Sequence, residues 1–295
     1  MSETNHLFIF GFGYSAAALA KQLMEEGWKI SATSRHAPRR REMQRLGIQA
    51  FDFPDDMISD ALKESTHLLC SVSPLKLGDT VLNHYQEAVT SQNWQWIGYL
   101  STTGVYGNHD GEWVDEATPV KGNNERLRSR VVAERKWLAL YSDHNLPVHI
   151  FRLAGIYGPS RGVLSKLRRG MKHRVYKEGQ LFSRTHVADI ARALKASMQQ
   201  PQASTIYNIC DDLPAPSHEV AEFAAKEMGI AVPPLVDWKE AALSEMAQEF
   251  YNSNRQVRND RIKALLPQGE WLYPTYEQGI IADIKALGLK EKAND

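Results

Sequence analysis

The stretch Leu7–Ala16 constrains this chain more than any other. Leu7-Phe8-Ile9-Phe10 is an apolar run, Gly11-Phe12-Gly13-Tyr14-Ser15-Ala16 reads G-x-G-x-x-A, and an amphipathic segment carrying Leu19, Ala20 and Leu23 follows. A short glycine pattern arises easily by chance. Placed between a strand and a helix at the head of an alternating chain, it becomes specific. Gly11 permits a tight turn, Gly13 lets the backbone approach a diphosphate, and Ala16 lets the helix pack close to a sheet. The diphosphate would rest on the helix N-terminus, where unbonded N–H groups and the helix dipole favour negative charge. Gly11, Phe12, Gly13, Tyr14 and Ser15 are therefore expected to line a dinucleotide.

The rest of the chain repeats the alternation. Strands are predicted at Trp28–Thr33, Ile48–Phe51, His67–Ser71, Trp96–Leu100 and Val148–Leu153, and helices at Tyr14–Glu26, Arg40–Leu46, Thr80–Thr90 and Glu125–Tyr141. Apolar strands separated by amphipathic helices predict an α/β fold, a Rossmann-type doubly wound parallel sheet covered on both faces. After Gly158-Pro159 the alternation weakens, with helices predicted at Gly162–Gly170, Val187–Gln199, Ser217–Glu227 and Thr275–Leu287 and a strand at Ile206–Cys210. This pattern predicts a dinucleotide-binding domain over 1–160 and a smaller C-terminal substrate lobe over 161–295, with 181–210 returning to the first domain.

Bulk properties exclude several classes. Lys plus Arg and Asp plus Glu both number 35, which gives no commitment to nucleic acid or an anionic membrane. Met1–His6 lacks the basic region of a leader, and the apolar run after it is too short to span a bilayer. The two cysteines, Cys70 and Cys210, lie in apolar segments and read as packing thiols in a reducing cytoplasm. No His or Cys spacing suits a metal cage, so no metal is expected.

The end of the second strand bears on the choice of cofactor. An NAD site places Asp or Glu there for the ribose hydroxyls. This chain has Thr33-Ser34-Arg35-His36, then Arg39, Arg40 and Arg41, with no acid before Glu42. A guanidinium stands where a 2′-phosphate would be paired, so Ser34 and Arg35 predict NADP(H), with NAD(H) as the other option. Arg40 and Arg41 read instead as a solvated helix cap.

Taken in order, the glycine turn, Ser101-Thr102-Thr103-Gly104-Val105-Tyr106-Gly107, Arg152-Leu153-Ala154-Gly155-Ile156-Tyr157-Gly158-Pro159, His186-Val187-Ala188-Asp189 and Tyr207-Asn208-Ile209-Cys210 resemble the extended short-chain dehydrogenase/reductase family, the NAD-dependent epimerases and dehydratases. The resemblance covers most of the chain. It implies an oxidoreductase or epimerase acting on a nucleotide sugar or another small, anionic carbonyl or hydroxyl substrate. It also implies that Asp52 meets the adenine, and that Ser71, Val72 and Ser73 pass beneath the ribose and diphosphate. Thr102 would hydrogen-bond a substrate oxygen, and Tyr157 would lie beside the nicotinamide. Members often form homodimers through the helices after strands four and five.

One departure matters. Redox members carry Tyr-x-x-x-Lys after strand five, the tyrosine as general acid/base and the lysine lowering its pKa. In the frame set by Ser129 and Glu134, Arg126 stands at the tyrosine position and Arg130 at the lysine position, 126 − 102 = 24 residues from Thr102. Arginine stays protonated, so Arg126 cannot shuttle a proton, whereas Arg130 could hold a ribose hydroxyl. Tyr106, His109 and Tyr157 are the substitutes on offer. Arg184 and Arg258 are the candidates for substrate contact. Two readings stay open: an enzyme using Thr102 with a replacement acid, or an NADP(H)-sensing regulator without turnover.

Overall fold

Short runs of mostly buried residues build a parallel sheet. In the computed structural model, which describes residues 5–76 and 78–289, β1 spans His6–Phe10, β2 Lys29–Thr33, β3 Gln49–Phe51, β4 His67–Cys70 and β5 Trp96–Thr102. With Val148–Leu153 and Thr205–Ile209 they form a seven-stranded sheet, ordered from one edge as Thr205–Ile209, Val148–Leu153, β5, β4, β1, β2 and β3. The pairs β1–β2, β1–β4, β2–β3 and β4–β5 are parallel. This is the doubly wound Rossmann arrangement, and its order reverses between β1 and β4. The crevice beyond the carboxyl ends of those two strands is where such sheets take ligands.

The chain groups into two compact units. The first takes in the chain up to residue 105, then 120–152 and 190–207; the second takes in 106–119, 153–189 and the chain from residue 208. In the first, helices α1 (Tyr14–Glu25), α2 (Ala37–Arg45), α3 (Ile58–Lys63), α4 (Thr80–Thr90) and α5 (Glu125–His144) link the strands. Asp79 caps α4 by accepting from Val81 and Leu82, and Asn124 caps α5 by accepting from Leu127. One core gathers Phe8, Phe10, Tyr85, Ile97, Tyr99, Trp137 and Ile150. A Cβ at Gly98 would collide with the Trp96 indole, so β5 needs a glycine where that ring folds across it.

The second unit has short paired strands: Gly155–Tyr157 with Arg184–His186, Arg174–Tyr176 with Leu235–Asp237, and Trp113–Val114 with Gln256–Val257. Its core joins Tyr157, Leu164, Leu167, Val220, Ala224, Tyr276 and Ile280. A Cβ at Gly279, in the helix Tyr276–Leu287, would run into the Tyr157 hydroxyl.

Two expectations about elements need correcting. Helix α2 begins at Ala37 and not at Arg40, because Pro38 is suited to a first helical turn. The short helices Ile58–Lys63 and Glu245–Tyr251 were not expected. They are too brief to show a periodic stripe.

Candidate functional site

The first candidate site lies at the carboxyl ends of β1, β2 and β4. Gly11 takes a left-handed φ of 84°, and its turn is bolted to the end of β2. Thr33 Oγ1 accepts from the Gly11 amide at 2.9 Å, and the Thr33 carbonyl accepts from the Phe12 amide at 3.0 Å. Thr33 has no place among the expected site residues, although β2 was expected to end on it. A Cβ at Gly11 would stand 3.0 Å from Val72, so the loop after β4 walls the turn closely. Gly13 differs. A Cβ there would meet only Ser71 Oγ, at 3.8 Å, so the protein's own packing does not demand a glycine.

Gly13 is also the N-cap of α1, and no side chain caps that helix. The helix therefore offers amide donors and positive dipole beside a space that a Cβ would fill. Those are the requirements of a bound diphosphate, so these residues fit a dinucleotide. Ser15 is buried in the first turn of α1, Tyr14 is half-buried, and Ser71 and Val72 form the facing wall.

Beside this cradle, Phe12 is buried beneath the Arg39 guanidinium, 5.0 Å from the ring centroid, and Arg39 pairs with Glu42 at 2.6 Å. Arg40 donates to the Ser34 carbonyl at 2.7 Å and pairs with Asp52 at 3.0 Å. Arg40 is thus a clasp between β2 and the loop after β3, which a solvated cap would not be. Asp52 also accepts from the Phe53 amide at 2.8 Å. Ser34 accepts from the His36 amide at 3.3 Å. Arg35 is exposed, with no hydrogen bond or ion pair among the described residues.

On α5, Arg126 is exposed. Arg130 is engaged, donating to the Leu100 carbonyl at 2.6 Å, to Ser73 Oγ at 2.7 Å and to the Tyr99 hydroxyl at 3.4 Å. One turn on, Glu134 is buried and receives Arg152 through Nε and Nη2, the latter at 2.8 Å, as well as the Ser101 hydroxyl at 2.5 Å. Ser101 of this triad precedes Thr102, which is half-buried and accepts from the Gly104 amide at 3.1 Å. The Thr102 proton is left free for a further acceptor.

The second unit holds the remaining candidates. Tyr106 is fully buried and donates to Asn208 Oδ1 at 2.7 Å, while His109 lies against the Tyr106 carbonyl at 3.2 Å. Tyr157 is buried, and its hydroxyl reaches the Thr275 carbonyl at 3.5 Å. Burial, then the carboxylates Asp211, Asp189 and Asp283, push its pKa up and hold the phenol in its protonated form. Arg184 donates to the Phe182 and Ala215 carbonyls at 2.7 and 2.8 Å and to Ser217 Oγ at 3.3 Å. Asp211 is buried too, and burial raises its carboxyl well above the usual range, with Arg184 opposing. Arg258 is exposed, 5.3 Å from the Trp113 ring centroid and 4.0 Å from Asp260. His186 caps the helix Val187–Gln199 by accepting from Ala188, whereas Asp189 receives the Leu272 and Tyr273 amides from the far end of the chain.

Comparison with known proteins agrees with this geometry. The model of the NAD dependent epimerase/dehydratase family matches residues 79–210. A solved conserved protein of unknown function from Silicibacter pomeroyi is 43% identical, covering 96% of this chain and 99% of its own, with a TM-score of 0.88. Protein YeeZ of Escherichia coli K12 is 29% identical over 71% of this chain and 77% of its own length. The dTDP-glucose 4,6-dehydratase of Bacillus anthracis, solved in complex with NAD, shares the fold at a TM-score of 0.77 with 17% identity, covering 97% of both chains. The chain thus carries an NAD dependent epimerase/dehydratase family domain over residues 79–210. No helix among the described residues is long and apolar enough to cross a membrane.

Proposed function

We propose that this protein binds NADP(H) in preference to NAD(H) and uses it as an oxidoreductase or epimerase-type enzyme on a small anionic carbonyl or hydroxyl compound of the nucleotide-sugar kind. The observation that carries the cofactor preference is the end of β2. The Arg35 guanidinium has no partner among the described residues, and Ser34 precedes it in the chain. Arg39 and Arg40, one turn away, are held by Glu42 and by Ser34 and Asp52. A 2′-phosphate supplies what a free guanidinium lacks, and a ribose hydroxyl does not.

Gly11, Gly13 and the uncapped start of α1 would hold the diphosphate, and Ser71, Val72 and Asp52 would border the adenosine half. Bound NADP(H) would supply hydride exchange. The Thr102 hydroxyl accepts from the Gly104 amide on one lone pair and keeps its proton to donate to a substrate oxygen. The buried thiols Cys70 and Cys210 support a reducing, cytoplasmic setting.

A second reading, an NADP(H) sensor without turnover, draws on one specific observation. Arg130 is tied to Leu100, Tyr99 and Ser73, and no tyrosine precedes it on the first turn of α5. Titration with NADPH and NADH, followed by a panel of nucleotide sugars and small carbonyl compounds, separates the two. Turnover supports the enzyme, and tight NADPH binding with none on any compound supports the sensor. Loss of binding to both nucleotides would end both readings. Arg35→Asp should weaken NADPH at least about tenfold while leaving NADH nearly unchanged; an equal loss for both would overturn the preference.

A further inference from the structure

The two strong bonds of Arg130 point in different directions. One Nη donates to the Leu100 carbonyl on β5 at 2.6 Å, and the other to Ser73 Oγ in the loop after β4 at 2.7 Å. That loop is the same one that walls the glycine turn. The Ser71 amide donates to the Phe10 carbonyl at 2.8 Å, Val72 sits 3.0 Å from where a Gly11 Cβ would stand, and Ser71 Oγ borders the space at Gly13. A continuous path of contacts therefore runs from α5, through one guanidinium, to the wall of the diphosphate cradle.

The Tyr99 ring supports the fork from below, 6.0 Å from the Arg130 guanidinium, and is itself stacked on Trp137 of the same helix. Trp137 in turn donates to Asp79, the cap of α4. The fork thus stands on a packed base.

We infer that Arg130 is a positioning residue that braces the Ser71–Ser73 wall of the dinucleotide cradle against β5, so that the cradle is formed before the ligand arrives. This inference rests on the dinucleotide reading above and adds a role that a lysine at this position could not fill. A guanidinium places two donors on separate nitrogens in a rigid plane, one for each acceptor. An ammonium carries its three donors on one nitrogen at the end of a flexible stem, so both acceptors would have to converge on a single point. Preforming the wall lowers the ordering that binding would otherwise require.

The test uses the full-length protein and the variants Arg130→Lys, Arg130→Gln, Ser73→Ala and Arg130→Gln/Ser73→Ala. Two quantities are measured: hydrogen exchange of the loop amides at Val72 and Ser73 without ligand, and the Kd for NADPH. Each single variant should speed exchange in that loop and weaken NADPH by about tenfold, the worth of one charge-assisted hydrogen bond. Arg130→Lys should not rescue, and the double variant should be no weaker than Arg130→Gln, because both changes cut the same link. Unchanged exchange in Arg130→Gln, full NADPH affinity in Arg130→Lys, or additive losses in the double variant would overturn the brace. If the unaltered protein bound no nucleotide, the reading of the site would fall instead, and the exchange result alone would decide the brace.

Discussion

Two regions of the first unit hold arginines in opposite states. At the end of β2, Arg35 has no partner among the described residues. At the inner face of α5, Arg130 is tied to two elements, and Arg152 below it is buried in a fork on Glu134. A guanidinium left free beside a cradle is available to a ligand, whereas one saturated by carbonyls, hydroxyls and a carboxylate holds the scaffold. The same side chain thus signals recognition in one place and architecture in the other. Burial and the count of satisfied donors tell them apart, since buried charges persist only when paired.

The sharpest way to break this comparison is to remove a partner from the most deeply tied arginine. Both side chains of the Glu134–Arg152 pair are nearly inaccessible, at 3% and 4% exposure. Glu134→Ala strands the Arg152 charge and frees the Ser101 hydroxyl, and should lower stability by about 3–5 kcal/mol. Chemical denaturation of the variant measures it. A loss under about 1 kcal/mol would mean that the pair is not held as described.

Acid should find a second weak point in the same unit. His149 is buried, its Nε2 accepting from the Gln202 amide at 3.0 Å and its Nδ1 lying 3.2 Å from the Ile97 carbonyl. Burial pulls its pKa down from 6.5 to about 4. The folded protein then prefers the neutral ring while the unfolded chain binds a proton below 6.5. Stability from this group is complete above pH 6.5 and drains away as pH falls toward 4, by about 3 kcal/mol over the window. His67, also drawn down to about 4 by burial, pulls in the same direction. Urea midpoints at pH 7 and pH 4.5 should fall less in His149→Gln than in the unaltered protein, and an equal fall would refute the assignment.

In the second unit, Arg184 is the counterpart of Arg130. It holds Phe182, Ala215 and Ser217 together, and its ring neighbours are Phe182 and Tyr276. Arg184→Met leaves those acceptors in a buried site and should cost about 2 kcal/mol in denaturant unfolding. Stability within about 0.5 kcal/mol of the unaltered protein would show that the guanidinium is not a fastener.

How much of this was legible in the sequence depends on the range of the interaction. The glycine turn, the alternation of strands and helices and the missing acid after β2 are local patterns, read from neighbours within one βαβ unit. Arg130 could be located by its frame on α5, but not its partners. Leu100 lies on β5 and Ser73 in the loop after β4, and the parallel pairing of β4 with β5 brings both within reach. Arg40 was hidden for the same reason, since Asp52 reaches it across the β2–β3 pair. Asp189 resembles a helix cap because it stands in a first turn, yet it serves amides 83 and 84 residues away. Tertiary contacts of this kind leave no periodic trace.

The smallest expected effect tests the free end of the comparison. Arg258 was singled out in the sequence beside Arg184, but its side chain is 56% exposed, with the Trp113 face and a 4.0 Å contact to Asp260 as its company among the described residues. An exposed pair of this kind contributes little, because solvent screens the charges and two long side chains lose freedom in meeting. Arg258→Ala should therefore change stability by less than about 0.5 kcal/mol. Any larger consequence has to come from a ligand. If Arg258 contacts an anionic substrate, the same variant should raise KM for that substrate while the unfolding midpoint and the NADPH Kd stay put. A shift in the unfolding midpoint instead would place Arg258 with Arg184 among the fasteners, and the division between free and tied arginines would fail in the second unit.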